Sequence, residues 1–170
     1  MPDPRQDMVL DAVDQNDAPV GLVPRKAVFE RRSNFRVVHD LVFNSKKELL
    51  VQQIGEAGTR HPRFWGSSVA GYIFAGESYE AAAHRKLVQE LGVSDAPLKY
   101  IGKTVMLDEG CHKFISVFTT VCDGPFDLDR SHIQSVEFLA RDTIHELHRK
   151  GTRKFTPTFL TVLAYYESKI

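Results

Sequence analysis

Apolar residues in this chain fall into short runs broken by turn-forming clusters, and the period of the runs changes along the sequence. Residues 8–13, the turn-rich Asp14-Gln15-Asn16-Asp17 and residues 18–23 predict a strand, a turn and a returning strand. Runs 37–43 and 48–53, rich in β-branched and apolar residues and separated by Asn44-Ser45-Lys46-Lys47, predict a second hairpin made of core strands. Between them, Pro24 precedes residues 25–32, where Val28 and Phe29 can pack one face of a short helix. A polar loop over 55–62 leads to Phe64-Trp65-Gly66 and a strand at 67–70.

The clearest helix spans residues 79–91. Ser78 is a good N-cap, the segment holds no Gly or Pro, and Gly92 supplies the stop. Ala81, Ala82, Leu87, Val88 and Leu91 are expected on its buried side. Further strands are predicted at 98–107, 114–121 and 136–139, with a short helix at 143–149. The last helix starts at Pro157, and its stripe of Phe159, Leu160, Val162, Leu163, Tyr166 and Ile170 reads as core packing. Residues 1–7, polar with two prolines, are expected to be a disordered start. With no repeat or linker, residues 8–170 are expected to form one domain.

Composition narrows the function by exclusion. The 170 residues carry 22 Lys+Arg against 22 Asp+Glu, so there is no basic footprint for nucleic acid or an anionic membrane. Neither Cys111 nor Cys122 sits in a CxxC pair, and no run of about 18 apolar residues or signal-like segment is present. A cytoplasmic protein with free thiols is the expectation. A small-molecule enzyme or binder is what these exclusions leave; oligomeric state is not readable.

One motif stands out: Gly71-Tyr72-Ile73-Phe74-Ala75-Gly76-Glu77, seven further residues, then Arg85-Lys86-Leu87-Val88-Gln89-Glu90-Leu91-Gly92-Val93. It resembles the Nudix box: Gly, five residues, Glu, seven residues, Arg-Glu, an aliphatic, any residue, Glu-Glu, any residue, Gly, an aliphatic. Gly71, Glu77, Arg85, Leu87, Glu90, Gly92 and Val93 match in register, while Lys86 and Gln89 stand where the family has glutamates. The resemblance implies an α/β fold, the Nudix α/β/α sandwich with a mixed, curved sheet. It also implies Mg²⁺, which grips a substrate diphosphate and activates water through hard oxygen ligands.

Positions 86, 89 and 90 share a helix face through their i+3 and i+4 spacing. Three glutamates there would give a formal charge of minus three, but Lys86, Gln89 and Glu90 sum to zero. Exchanging a glutamate for a lysine beside a dication costs several kcal/mol even at an effective dielectric of about 20, so magnesium is expected to bind weakly or not at all. By the resemblance, Glu90 and the backbone carbonyl of Ala70 are the remaining metal ligands, and Glu90 and Glu77 the catalytic candidates. Asp108 or Glu109, read otherwise as a turn-forming pair, are possible extra acids. Glu77 and Arg85 are mainly a structural pair in the family, and Arg85, Lys86, Gln89 and Tyr72 are the candidates to face a ligand.

Resemblance extends past the box. The hairpin ending in Pro24-Arg25, the Leu49-Leu50-Val51 strand, Gly124-Pro125-Phe126 and Phe155-Thr156-Pro157 are similar to isopentenyl-diphosphate isomerase and the Nudix hydrolases nearest to it. The isomerase's catalytic Cys falls on Ala70 and a metal-binding His on Tyr72. Two further glutamates fall near Cys111 and Lys113, and two histidines near Val28 and Phe35. None of these is kept, so isomerase activity is not expected. Two readings remain: a weak hydrolase of a small-molecule diphosphate, nucleoside-linked or similar, and an inactive Nudix-fold protein that binds a phosphorylated ligand, with Lys86 supplying charge in place of the metal.

Overall fold

The computed structural model describes residues 8–56 and 60–170. The expected disordered start, 1–7, lies outside the described residues, as do positions 57–59 of the polar loop. Strands β1 (Val9–Val13) and β2 (Pro19–Pro24) form an antiparallel hairpin. Its turn is closed by Asp14, whose Oδ1 accepts from the Asn16 and Ala18 amides at 2.8 and 3.0 Å. The main sheet comprises β3 (Phe35–Phe43), β4 (Leu49–Ile54), β5 (Trp65–Gly66), β6 (Val69–Tyr72), β7 (Lys99–Asp108), β8 (Cys111–Val121) and β9 (Ile133–Leu139). Helices α1 (Tyr79–Leu91), α2 (Arg141–Lys150) and α3 (Pro157–Glu167) pack on it.

The sheet is mixed. β3 runs parallel to β8 along one edge and antiparallel to β6 along the other. The predicted β3–β4 hairpin keeps its turn, where Asn44 Oδ1 accepts from the Lys46 and Glu48 amides, but the strands share a single pair, Phe43 with Leu49. Beyond it they splay, β4 pairing instead with β9 and β5. The buried hydroxyl of Ser68 bridges the opening, accepting from Val42 N at 2.8 Å and donating to Leu50 O at 2.6 Å. Backbone groups that lost their ladder partners are thereby satisfied.

Alternation along β3 divides the core into two layers. Val37, Leu41 and Phe43 pack with Ile144 of α2 and Phe159, Val162 and Leu163 of α3. Val42 packs with Leu87 and Leu91 of α1, and Val38 with Ala82 and Ala83. This is the α/β/α sandwich. No helix among the described residues is long and apolar enough to cross a membrane.

Three local expectations need correction. The segment after Pro24 makes only a 3-10 turn, Arg25–Ala27, since two apolar residues give a helix little surface to bury. Asp108 is the buried last residue of β7, and the turn belongs to Glu109 and Gly110, both with positive φ. On α1, Ser78 caps the Ala81 amide and Gly92 takes the left-handed C-cap, but the buried stripe is Ala82, Ala83, Lys86, Leu87, Glu90 and Leu91. Ala81 and Val88 are exposed. The helix is rotated because Lys86 and Glu90, both excluded from a core by their charges, neutralise each other and go in together.

Candidate functional site

The loop before α1 is braced from within. Glu77 receives Arg85 Nε at 2.7 Å and Arg85 Nη2 at 2.9 Å on its two oxygens, and also accepts from Phe74 N at 3.0 Å. Arg85 Nη2 donates as well to the Tyr72 carbonyl, while its guanidinium lies 4.1 Å from the centre of the Phe74 ring. Burial pushes the Glu77 carboxyl upward, but the Arg85 and Phe74 hydrogen bonds outweigh it and hold the group below its ordinary value. The hairpin fixes the same loop from outside: Asp11 Oδ2 accepts from Gly76 N, and Val9 O from Ala75 N. Gln89 is exposed, with Oε1 3.5 Å from Arg85 Nη1.

One turn inward the face changes character. Lys86 Nζ lies 2.7 Å from Glu90 Oε2, and Gln52 Nε2 donates to Glu90 Oε1 at 2.9 Å and to Ser68 O at 2.9 Å. Lys86 and Glu90 are 7% and 5% exposed, so the pair is enclosed. The Lys86 stem crosses β6 at Gly71, where an added Cβ would come within 2.3 Å of Lys86 Cε. A side chain at this position would fit only if the flexible end of Lys86 moved aside. Ala70 lies beside Gly71 on β6, opposite His39.

This arrangement does not fit a magnesium ion as it stands. Both Glu90 oxygens are engaged, one by an ammonium, and Gln89 points to solvent. Among the described residues no group of three or more His, Cys, Asp or Glu side chains is placed to hold a metal.

On the other face of β6 the structure gathers the positions that resemblance to the isomerase marks as metal ligands, and fills them with an apolar plug. Val28, Phe35 and Cys111 are buried in one cluster, with Tyr72 packed against it and its ring 5.5 Å from that of Phe35. Around the plug are cations that no sequence motif signalled. Arg25 lies 4.5 Å from the Tyr72 ring centre and Arg60 4.8 Å from that of Phe29. Arg60 grips Asp108 with two hydrogen bonds, at 3.0 and 2.7 Å, and Lys113 Nζ donates to Asp108 Oδ2 at 2.8 Å and to Thr158 Oγ1 at 2.5 Å. Burial opposes ionisation of Asp108, but Arg60 and Lys113 overcome it and hold the carboxyl at about 2. Burial lowers Lys113 against the pull of Asp108. These groups come from separate elements, so only tertiary structure unites them.

His39 Nδ1 and Ser67 Oγ are 2.7 Å apart, but both residues are buried. Burial, aided by the charge of Lys113, lowers the imidazole to about 3 and leaves a poor base. The pair is structural.

Comparison with known proteins agrees with this geometry. The model of the NUDIX domain matches residues 34–159. The chain is 32% identical over 154 residues to an uncharacterized Nudix hydrolase of Pseudomonas aeruginosa, covering 91% of this chain and 90% of that protein. It is 27% identical over 156 residues to an isopentenyl-diphosphate Delta-isomerase of Pectobacterium atrosepticum, covering 89% and 87% of the two. The crystal structure of a Deinococcus radiodurans protein superposes with a TM-score of 0.80 at 23% identity, covering 93% of this chain and 99% of that one.

Proposed function

From the premise that the chain belongs to the Nudix family, we propose that it binds a small phosphorylated molecule and hydrolyses diphosphates weakly. The observation that carries this reading is the enclosed Lys86–Glu90 pair at 2.7 Å, which commits the one remaining acid of the metal face to an internal cation. The family generally works with a divalent metal such as magnesium, and a face already neutralised offers that metal little attraction.

The ligand's anionic group would lie over Tyr72, facing Arg25 and Arg60. Arg25 meets no carboxylate among the described residues, and Arg60 has a side chain 39% exposed. Guanidinium groups at an aromatic surface bind phosphate oxygens directly, with no metal between. Isomerisation of isopentenyl diphosphate is not part of the proposal: Ala70 has no thiol, and Lys113 is engaged with Asp108 and Thr158.

Calorimetry with dinucleoside, sugar-nucleotide and prenyl diphosphates, with Mg²⁺ or with chelator, tests the reading. Expected are binding that survives the chelator, a loss of about tenfold or more for Arg25→Ala and Arg60→Ala, and slow turnover. Lys86→Glu with Gln89→Glu takes the metal face from zero to minus three and should raise both Mg²⁺ affinity and hydrolysis. Brisk Mg²⁺-dependent hydrolysis by the native chain, or a panel that binds only with Mg²⁺, would overturn it.

A further inference from the structure

His148-Arg149-Lys150-Gly151-Thr152-Arg153-Lys154 is a basic run without an acid in a chain whose charges balance, and the Tyr72 site uses none of it. The structure joins this run to a second basic segment. Gly151, left-handed at φ 69°, ends α2 and turns the chain back. Lys154 O then accepts from Trp65 N, and Trp65 O from Thr156 N, both at 2.9 Å, so residues 152–156 lie along 62–65. Between the two segments is an open cavity of about 400 Å³, walled by Arg63, Phe64, Trp65, Thr152, Arg153 and Lys154. Its wall holds three cations and no acid.

These cations are poorly neutralised from outside the wall. Arg63 meets Glu56, but the side chains are 70% and 65% exposed, so water screens the pair and it holds the arginine only weakly. Arg153 gives Nη1 to Glu137 at 2.9 Å, one of several N–H donors of a guanidinium, and lies 4.3 Å from the Trp65 ring, which steadies it. Lys154 Nζ is 5.8 Å from the centre of the Phe64 ring and meets no carboxylate among the described residues. The backbone is strained at the same place: His61 and Arg63, on either side of Pro62, take left-handed φ of 51° and 68°. Hydrogen bonds from Arg63 N to Ile54 O and from Phe64 N to His61 O hold this turn, and strain kept in place by its surroundings is typical of binding loops.

We propose that this cavity is a second anion site, which takes the phosphate or diphosphate group of a small molecule. Lys154 supplies a point charge and Arg153 a planar fork, the two geometries that grip phosphate oxygens, and the Thr152 hydroxyl adds a neutral donor. Phe64 and Trp65 give the rest of the ligand an apolar wall, and the volume suits one small ligand. Neither Arg25 nor Tyr72 takes part, so this site stands or falls apart from the one at Tyr72. The two nevertheless share a loop, which carries Arg60 for one and Arg63 for the other. A ligand in the cavity therefore sits at the root of the segment that supplies Arg60, the position of an effector.

Trp65 is the sole tryptophan of the chain, so its fluorescence reports on the cavity. The full chain is titrated in chelator, at constant ionic strength, with inorganic pyrophosphate and separately with ADP, excited where adenine does not absorb. Calorimetry on Arg25→Ala, which disables the Tyr72 site, counts the ligand a second way. Expected is a saturable change with one ligand per chain for both probes, unaltered by Arg25→Ala. Lys154→Ala and Arg63→Ala, both at exposed side chains, should each weaken it about fivefold or more. Full affinity in the variant carrying both changes overturns the proposal, as does an equal response to sodium chloride. Absence of both a saturable fluorescence change and a saturable heat up to about 1 mM overturns it equally. Tighter capture of a single-stranded oligonucleotide than of ADP would make the face a nucleic-acid surface and overturn it too.

Discussion

Asp17 and Asp40 are both enclosed, at 7% and 0% exposure, yet their surroundings are opposite. Asp17, in the turn of the N-terminal hairpin, accepts from Arg36 Nε at 2.6 Å, Lys103 Nζ at 2.6 Å and the Tyr79 hydroxyl at 2.7 Å, while its carbonyl takes Arg36 Nη2. One carboxylate thereby ties the hairpin to β3, β7 and the start of α1. Asp40, in the middle of β3, meets no hydrogen-bond donor among the described residues. Burial pushes both carboxyls upward, but donors reverse the shift at Asp17 and nothing reverses it at Asp40. Burial alone therefore says little about what an acid does; the donors placed around it decide.

The largest expected effect is at the satisfied acid. Asp17→Ala should lower unfolding free energy by about 3 kcal/mol in denaturant titration, since it leaves Arg36 and Lys103 without their counter-charge. A loss near that of an exposed ion pair would show that the hairpin is held by packing alone. In the native chain the folded carboxyl lies below its ordinary 3.8, so the stability it supplies is complete above that value and is lost as pH falls through the folded one.

Asp40 should respond with the opposite sign. Asp40→Leu replaces an unpartnered buried carboxyl by an apolar side chain of similar size, and should raise stability by about 1–2 kcal/mol at neutral pH. Because the folded carboxyl lies above 3.8, the native group costs stability as pH rises from 3.8 towards its folded value. The gain should accordingly shrink in acid. A destabilised variant at neutral pH would mean that Asp40 has a partner there, and the contrast with Asp17 would fail.

The Glu77–Arg85 pair lies between these extremes, with side chains 16% and 29% exposed. A double-mutant cycle on thermal or denaturant unfolding should give a coupling of about 1 kcal/mol, discounted for its partial exposure. Glu77→Ala alone should lower the melting temperature in the absence of metal. Absence of coupling would remove the bracing role and leave Glu77 as a catalytic candidate only.

What could be read from residues alone was whatever neighbouring positions decide. Ser78, the uninterrupted segment behind it and Gly92 fixed α1, because caps and helix propensity act within a few residues. The spacing from Gly71 to Val93 identified the family, and Lys86 and the neutral Gln89 in place of two glutamates set the expectation of weak metal binding. Tertiary structure decided the rest. Turn chemistry at Asn44 predicted a hairpin, but β4 gains more by pairing with β9, and Ser68, distant in sequence, makes the splay tolerable. A pattern that counts charges as outward placed Ala81 and Val88 in the core; the mutual neutralisation of Lys86 and Glu90 turned the helix the other way. Arg25, Arg60, Lys113 and Asp108 meet around the plug of Val28, Phe35 and Cys111 only after the chain has closed on itself. Contacts between distant positions leave no local period to read, so the fold class was written in the sequence, while the company kept by each charge was settled by packing.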